Sequence, residues 1–281
     1  MYDFYFGSKS EIQKDEIKYL ISIKRMMPRW VNSLPDFEFI SIAKLLDQQG
    51  KNAEKEQRKF VTVETGVGAS SLAFVFYAIK YNGLSFTWDL NAEKGSLIRQ
   101  VCTETIGNYF NQPINKFWKL IAFDSLSSYL GLGIIDEQSL KVDMFLHDSE
   151  HVWNTVKGEL NLIMPTLYDG AIIALDDANQ DYLHTNLGYI NTFRKKYGLS
   201  RIENIKGNKS KPYYQEVENL LNKTWADVEL LDDPYKMNSM NDPYFKYYNS
   251  EFDIKSSFGT ERVDSLEHRF DSWRVSERKE K

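Results

Sequence analysis

Residues Val61 to Ser71 read V-T-V-E-T-G-V-G-A-S-S, an apolar run that ends in an acid and opens into two glycines and two serines. A run of this kind is a buried strand feeding a glycine turn and then a helix, which is how a nucleoside-binding α/β sheet begins. The acid narrows the ligand. A pyrophosphate seated on a helix N-terminus favours glycine where the strand ends. The carboxylate of Glu64 repels such a group and attracts a cation. Gly66 and Gly68 let the backbone approach a ligand closely, and Ser70 opens the helix that follows.

Downstream, strand and helix patterns alternate. Strands are expected at Phe60–Glu64, Leu84–Asp89, Phe117–Phe123, Val142–His147 and Ala171–Leu175. Helices are expected at Ser70–Tyr81, Gly95–Tyr109 and Asn186–Tyr197, with a short one at Ser125–Leu132 and another reaching Met164 that Ser149 would cap. Tyr168-Asp169-Gly170 reads as a turn. The alternation predicts a Rossmann-like α/β fold, a doubly wound and mostly parallel sheet with helices on both faces. Residues 1–58 read as a helical N-terminal extension, with helices at Glu11–Met27 and Phe37–Leu46 and an exposed link from Lys51. Residues 59–232 form the ligand-binding domain, closing with a short helix at Gln215–Asn222 and a late strand at Trp225–Leu231. Residues 233–281 read as an aromatic-rich tail or lid, frayed and solvated from Arg274 onward.

Bulk properties exclude several function classes. The formal charge of −5 argues against a nucleic-acid footprint. No apolar run is long enough to span a membrane. The N-terminus lacks the basic and apolar regions of a signal peptide. Cys102 is the only cysteine, which excludes an intramolecular disulfide and suits packing. The expectation is a soluble, cytoplasmic protein; self-association is left open.

Five strands end in five acids: Glu64, Asp89, Asp124, Asp148 and Asp176. In an open parallel sheet the carboxyl ends of the strands line one crevice, where ligands bind. Each acid alone also suits a helix cap or a turn; the five together are better explained by a site. Asp89, at the end of the second strand, suits a carboxylate accepting from both ribose hydroxyls. Asp124 and Ser125 fall where an adenine edge would lie. A nucleoside carrying an ammonium and a sulfonium, S-adenosylmethionine, fits this set; NAD fits it less well.

The segment V-D-M-F-L-H-D-S-E-H places His151 three residues after Asp148, and A-L-D-D-A-N brings Asp176 and Asp177 to the neighbouring strand end. Carboxylates packed together raise one another's pKa, and a divalent cation removes that cost. Oxygen ligands favour Mg²⁺, Mn²⁺ or Ca²⁺ over zinc. Such an ion could hold two vicinal substrate hydroxyls, with His151 as the base. His184 is a further candidate contact. Trp153 reads as core and His268 as incidental.

With its T-G-V-G-A-S loop and these acids, the region from about Phe60 to Tyr197 resembles the class I methyltransferases. Its D-S-E-H, L-Y-D-G and D-D segments resemble the metal-dependent sugar O-methyltransferases of macrolide and aminocoumarin biosynthesis. That resemblance implies O-methylation of a sugar-like small-molecule hydroxyl. It also implies magnesium on Asp148, Asp176 and Asp177, His151 as base, and cofactor contacts at Glu64, Gly66, Gly68, Ser70, Asp89, Asp124, Ser125 and Asp148. Tyr-Asp-Gly stands where this fold usually has a Gly-Gly pair. Two other readings stay open: an NAD-dependent oxidoreductase or epimerase, which would need pyrophosphate room beside Glu64, and a non-catalytic binding protein that keeps the fold.

Overall fold

The computed structural model describes residues 15–32, 34, 36–176, 191–202, 214–231 and 271–279. Two helices come first, α1 (Glu16–Met26) and α2 (Asp36–Lys55). Asp15 caps α1 by accepting from the Lys18 amide. Helix α2 runs through the Lys51 region expected as a link. Lys51 pairs with Asp47 one turn back, and this supports the extra turn.

Next come β1 (Val61–Thr65), α3 (Ser70–Lys80), β2 (Leu84–Trp88), α4 (Ala92–Cys102), β3 (Trp118–Ile121), α5 (Gly133–Glu137), β4 (Val142–His147), α6 (Trp153–Ile163) and β5 (Leu167–Leu175). They are followed by α7 (Tyr214–Thr224), β6 (Trp225–Leu231) and β7 (Asp271–Arg278). The sheet order is β3-β2-β1-β4-β5-β7-β6. The first five strands are parallel, and β7 runs antiparallel to both β5 and β6.

Side chains alternate across each strand, so the sheet separates two cores. Met144, Leu146, Ile172 and Ala174 pack with α1 to α4 on one face. Val61, Val63, Phe145, Ile173 and Leu175 pack with α5, α6 and α7 on the other. Both faces of the central strands are covered, so these strands read as apolar runs.

Several expectations are corrected. The stretch Ser125–Leu132 is a series of turns rather than a helix, and α5 begins only at Gly133. Ser149 does not cap α6. That helix starts after Val152 with no side-chain cap, and the Ser149 hydroxyl turns inward. Tyr168-Asp169-Gly170 lies within β5, where the register against β4 shifts and Gly170 takes a φ of +84°. The end expected to fray is β7, inserted between β5 and β6, so a strand from the 233–281 stretch belongs to the sheet. Trp273 and Val275 of β7 are fully buried. Among the described residues no helix is long and apolar enough to cross a membrane.

Candidate active site

The ladder of the sheet continues one step past the strands and aligns their ends. The Gly66 amide donates to Trp88 O at 2.8 Å, Asp148 N to Thr65 O at 2.8 Å, and Asp176 N to His147 O at 2.9 Å. Asp148 and Asp176 therefore sit side by side at the carboxyl edge, next to the glycine turn. Gly66 has a φ of +90°, and a Cβ there would lie 1.7 Å from the Asp148 carbonyl oxygen. Only glycine lets the turn pass this close to β4. At Gly68 a Cβ would lie 3.4 Å from Val31 O, so the link between α1 and α2 borders the same turn.

Alternation along β1 turns Glu64 toward α3, away from the open edge. It is fully buried and accepts from Ser70 Oγ at 2.9 Å and Thr87 Oγ1 at 2.7 Å. Burial pushes its carboxyl up to about 7, against the Ser71, Thr87 and Ser70 hydroxyls that favour the charged form. Glu64 and Ser70 thus lie beneath the loop, bonded to each other. Asp89 lies at its side and ties it down: Oδ2 accepts from Val67 N at 2.8 Å and Oδ1 from Asn91 N at 2.7 Å. The ammonium of Lys94 is 3.9 Å from Asp89 and adjoins Gly68, a cation that motif reading did not single out. Asp124 closes a turn by accepting from Leu126 N at 3.0 Å.

Asp148, His151 and Asp176 each offer a ligand atom, all within 4.8 Å of one another, and all three residues are partly buried. His151 Nε2 is 3.7 Å from Asp148 Oδ1. Two ligands on opposite sides of one Mg²⁺ are about 4.2 Å apart. Small side-chain adjustments would therefore let the three atoms share an ion, and the donor set of two carboxylates and an imidazole fits a divalent cation. Asp177 and His184 lie outside the described residues.

Beneath this cluster lies an acid that the sequence reading passed over. Glu159 of α6 is fully buried and gathers four donors. Its Oε1 accepts from Ser125 Oγ at 2.6 Å and Ser149 Oγ at 3.0 Å. Its Oε2 accepts from Thr65 Oγ1 at 2.7 Å and lies 2.7 Å from His147 Nδ1. Burial raises its pKa, but the charge of His147 and the hydrogen bonds outweigh burial and hold it below the usual glutamate value. The signal was in the pattern. Val156, Glu159, Leu160 and Ile163 form the buried stripe of α6, and an acid on such a stripe needs partners.

A separate cleft of about 500 Å³ lies among α1, α2 and α3. Its Lys80 pairs with Glu16 and Asp47, and its Lys51 pairs with Asp47. It holds none of the strand-end acids.

Residues 63–178 match the family model described as a methyltransferase domain. No curated protein sequence matches the chain. Among solved structures, it is similar to the O-methyltransferase TomG from Streptomyces achromogenes, involved in tomaymycin synthesis, at 11% identity and a TM-score of 0.49, covering 98% of each chain. An O-methyltransferase from Bacillus cereus is similar at 13% identity and a TM-score of 0.44, over 82% of this chain and 91% of that one. A TDP-rhamnose 3'-O-methyltransferase of calicheamicin biosynthesis is similar at 16% identity and a TM-score of 0.39, over 58% of this chain and 77% of that one. Residues 63–178, which carry the glycine turn and the strand-end acids, are thus the part of the chain that matches a methyltransferase domain.

Proposed function

We propose that the protein is an O-methyltransferase that moves the methyl group of S-adenosylmethionine to a hydroxyl of a small polar metabolite, sugar-like in character, with a divalent cation at the strand-end acids. The observation that carries this reading is the meeting of Asp148, His151 and Asp176 beside the glycine turn.

Bound S-adenosylmethionine supplies an electrophilic methyl on sulfur, and a divalent cation makes a hydroxyl that it touches more acidic. The chain does the rest. Gly66 and Gly68 keep the turn open to the cofactor's backbone-facing edge. Asp89, which ties down the turn, would also accept from the ribose hydroxyls. Asp124 and Ser125 border the adenine, while Glu64 and Ser70 hold the turn from below. Asp148 and Asp176, joined by Asp177, would hold the cation, and Asp148 would also face the cofactor. His151 takes the acceptor's proton. Positioning the acceptor oxygen in line with the methyl supplies much of the rate. The sugar-like acceptor rests on the D-S-E-H, L-Y-D-G and D-D segments. The helical 1–58 part and the 233–281 stretch would shape its pocket.

The 4.8 Å cluster also favours a second role for His151, as a ligand instead of a base. Calorimetry with S-adenosylhomocysteine, with NAD as control, tests the cofactor. Asp176→Ala is expected to keep that affinity and lose methyl transfer at least about 100-fold. Full activity in this variant, or in excess chelator, overturns the metal-assisted mechanism. A His151→Gln variant that keeps Mn²⁺ affinity while kcat falls marks the base; one that loses Mn²⁺ marks the ligand.

A further inference from the structure

We propose that Glu159 is a positioning residue that locks the cofactor wall and the acid cluster into one unit, a role that rests on the methyltransferase reading above. Its four partners come from three parts of the crevice. Thr65 is the last residue of β1, immediately before the glycine turn. Ser125 follows β3, on the side given to adenine. His147 and Ser149 flank Asp148 at the end of β4. One buried carboxylate therefore ties the cofactor turn, the adenine side and the candidate metal ligand to α6.

Geometry explains why these residues can meet. Along β1 the odd-numbered residues Val61 and Val63 face α6, and Thr65 continues that row. Along β4, Phe145 faces the same side and His147 continues it. Glu159 projects from the buried stripe of α6 into the corner where the two rows end. The end of β1 is thus gripped from both sides of the sheet, by Glu64 through Ser70 and Thr87, and by Glu159 through Thr65.

The network reaches one step farther. A carboxylate only accepts hydrogen bonds, so His147 Nδ1 is the donor to Glu159. Its Nε2 is buried and finds no partner among the described residues. The His147 ring meets His151 edge-on, with centroids 5.7 Å apart and planes at 88°. Glu159 therefore fixes the ring against which His151 rests, without itself reaching the reacting atoms. Four hydrogen bonds on one carboxylate exceed what packing a helix requires. An apolar residue would serve a purely structural contact better.

The test uses the full chain. Glu159→Gln keeps the volume and removes the charge that accepts four donors. It is expected to weaken S-adenosylhomocysteine binding about tenfold, the loss of roughly one charge-assisted bond's worth of order, and to lower kcat as well. Thr65→Val keeps the volume of a buried side chain and removes a single hydroxyl. It is expected to weaken binding roughly threefold or more in the same direction, and Thr65→Ser to restore it. The threonine pair carries the test if the Glu159 variant does not fold. Lower melting temperatures with S-adenosylhomocysteine affinity and kcat within twofold of wild type would reduce Glu159 to a structural acid and overturn the proposal. A wild-type chain that fails to bind S-adenosylhomocysteine overturns the methyltransferase reading itself, a result distinct from equal binding by wild type and variants.

Discussion

Replacing Glu64 by glutamine separates two roles that an acid at this strand end can take, contact with the ligand or support of the loop. The side chain is 0% exposed, and burial pushes its carboxyl from 4.5 up to about 7. Between those values the native chain keeps a proton that the unfolded chain has released. The group's contribution to stability is full below about pH 4.5 and is lost as pH rises through about 7. That displacement corresponds to roughly 3 kcal/mol. Glutamine imitates the protonated acid. Its oxygen can accept from Thr87 Oγ1 and its amide can donate to Ser70 Oγ, two of the hydroxyls that Glu64 now holds. Glu64→Gln is therefore expected to be more stable than wild type at pH 8 by up to about 3 kcal/mol. The gap should close toward pH 5. Urea unfolding followed by tryptophan fluorescence at pH 5, 6, 7 and 8 measures it. A variant no more stable at pH 8, or a gap of constant size across the series, would refute the assignment of the shift to burial. The same samples titrated with S-adenosylhomocysteine report whether the charge acts on the ligand through the loop.

Two more substitutions probe the frame of the site. Gly66→Ala forces a side chain into a φ of +90° and against the Asp148 carbonyl, so S-adenosylhomocysteine binding should vanish in calorimetry and stability fall by about 2–4 kcal/mol; unchanged binding would mean the turn moves freely. Trp273→Ala empties a fully buried position in β7 and should cost roughly 3 kcal/mol in urea unfolding, the low end for a tryptophan because its indole N–H has no partner among the described residues; a loss under about 1 kcal/mol would remove β7 from the core.

Much of the fold was readable because its central strands are covered on both faces. Val61–Thr65, Val142–His147 and Ala171–Leu175 are short stretches rich in β-branched and apolar residues with an acid at or just past their ends, and no helix period competes with them. The acid cluster was readable for the same reason, since neighbouring parallel strands must bring their ends together. What failed was orientation. A strand's last residue can face either helix layer, and nothing in V-T-V-E-T says that Glu64 points under α3 while Thr65 points at α6. Ser149 looked like a helix cap because serine before a helix usually is one, yet a buried carboxylate farther along the chain competes for its hydroxyl more strongly. The sequence D-S-W-R-V-S-E-R hides β7 because serines and arginines fill the alternate positions and leave only Trp273 and Val275 as an apolar row. Glu159 is hard to read because it belongs to the buried stripe of a helix, not to a strand end.

The antiparallel seat of β7 has a consequence for how this molecule could change over time. Asp271 pairs with Leu175 and Ser272 with Leu231, so β6 leaves the sheet and β7 re-enters it at the carboxyl edge, the edge that carries Asp176. Leu231 and Asp271, the facing ends of the two strands, therefore both lie at that edge. Doubling the length of a flexible connection costs only about 0.6 kcal/mol in closure entropy. A change of length in the sequence between Leu231 and Asp271 therefore need not disturb the pairing of β6 and β7 with the sheet, and both attachment points lie at the carboxyl edge. The strand that completes the core thus also fixes where a variable part of the sequence is anchored, beside the cluster of Asp148, His151 and Asp176.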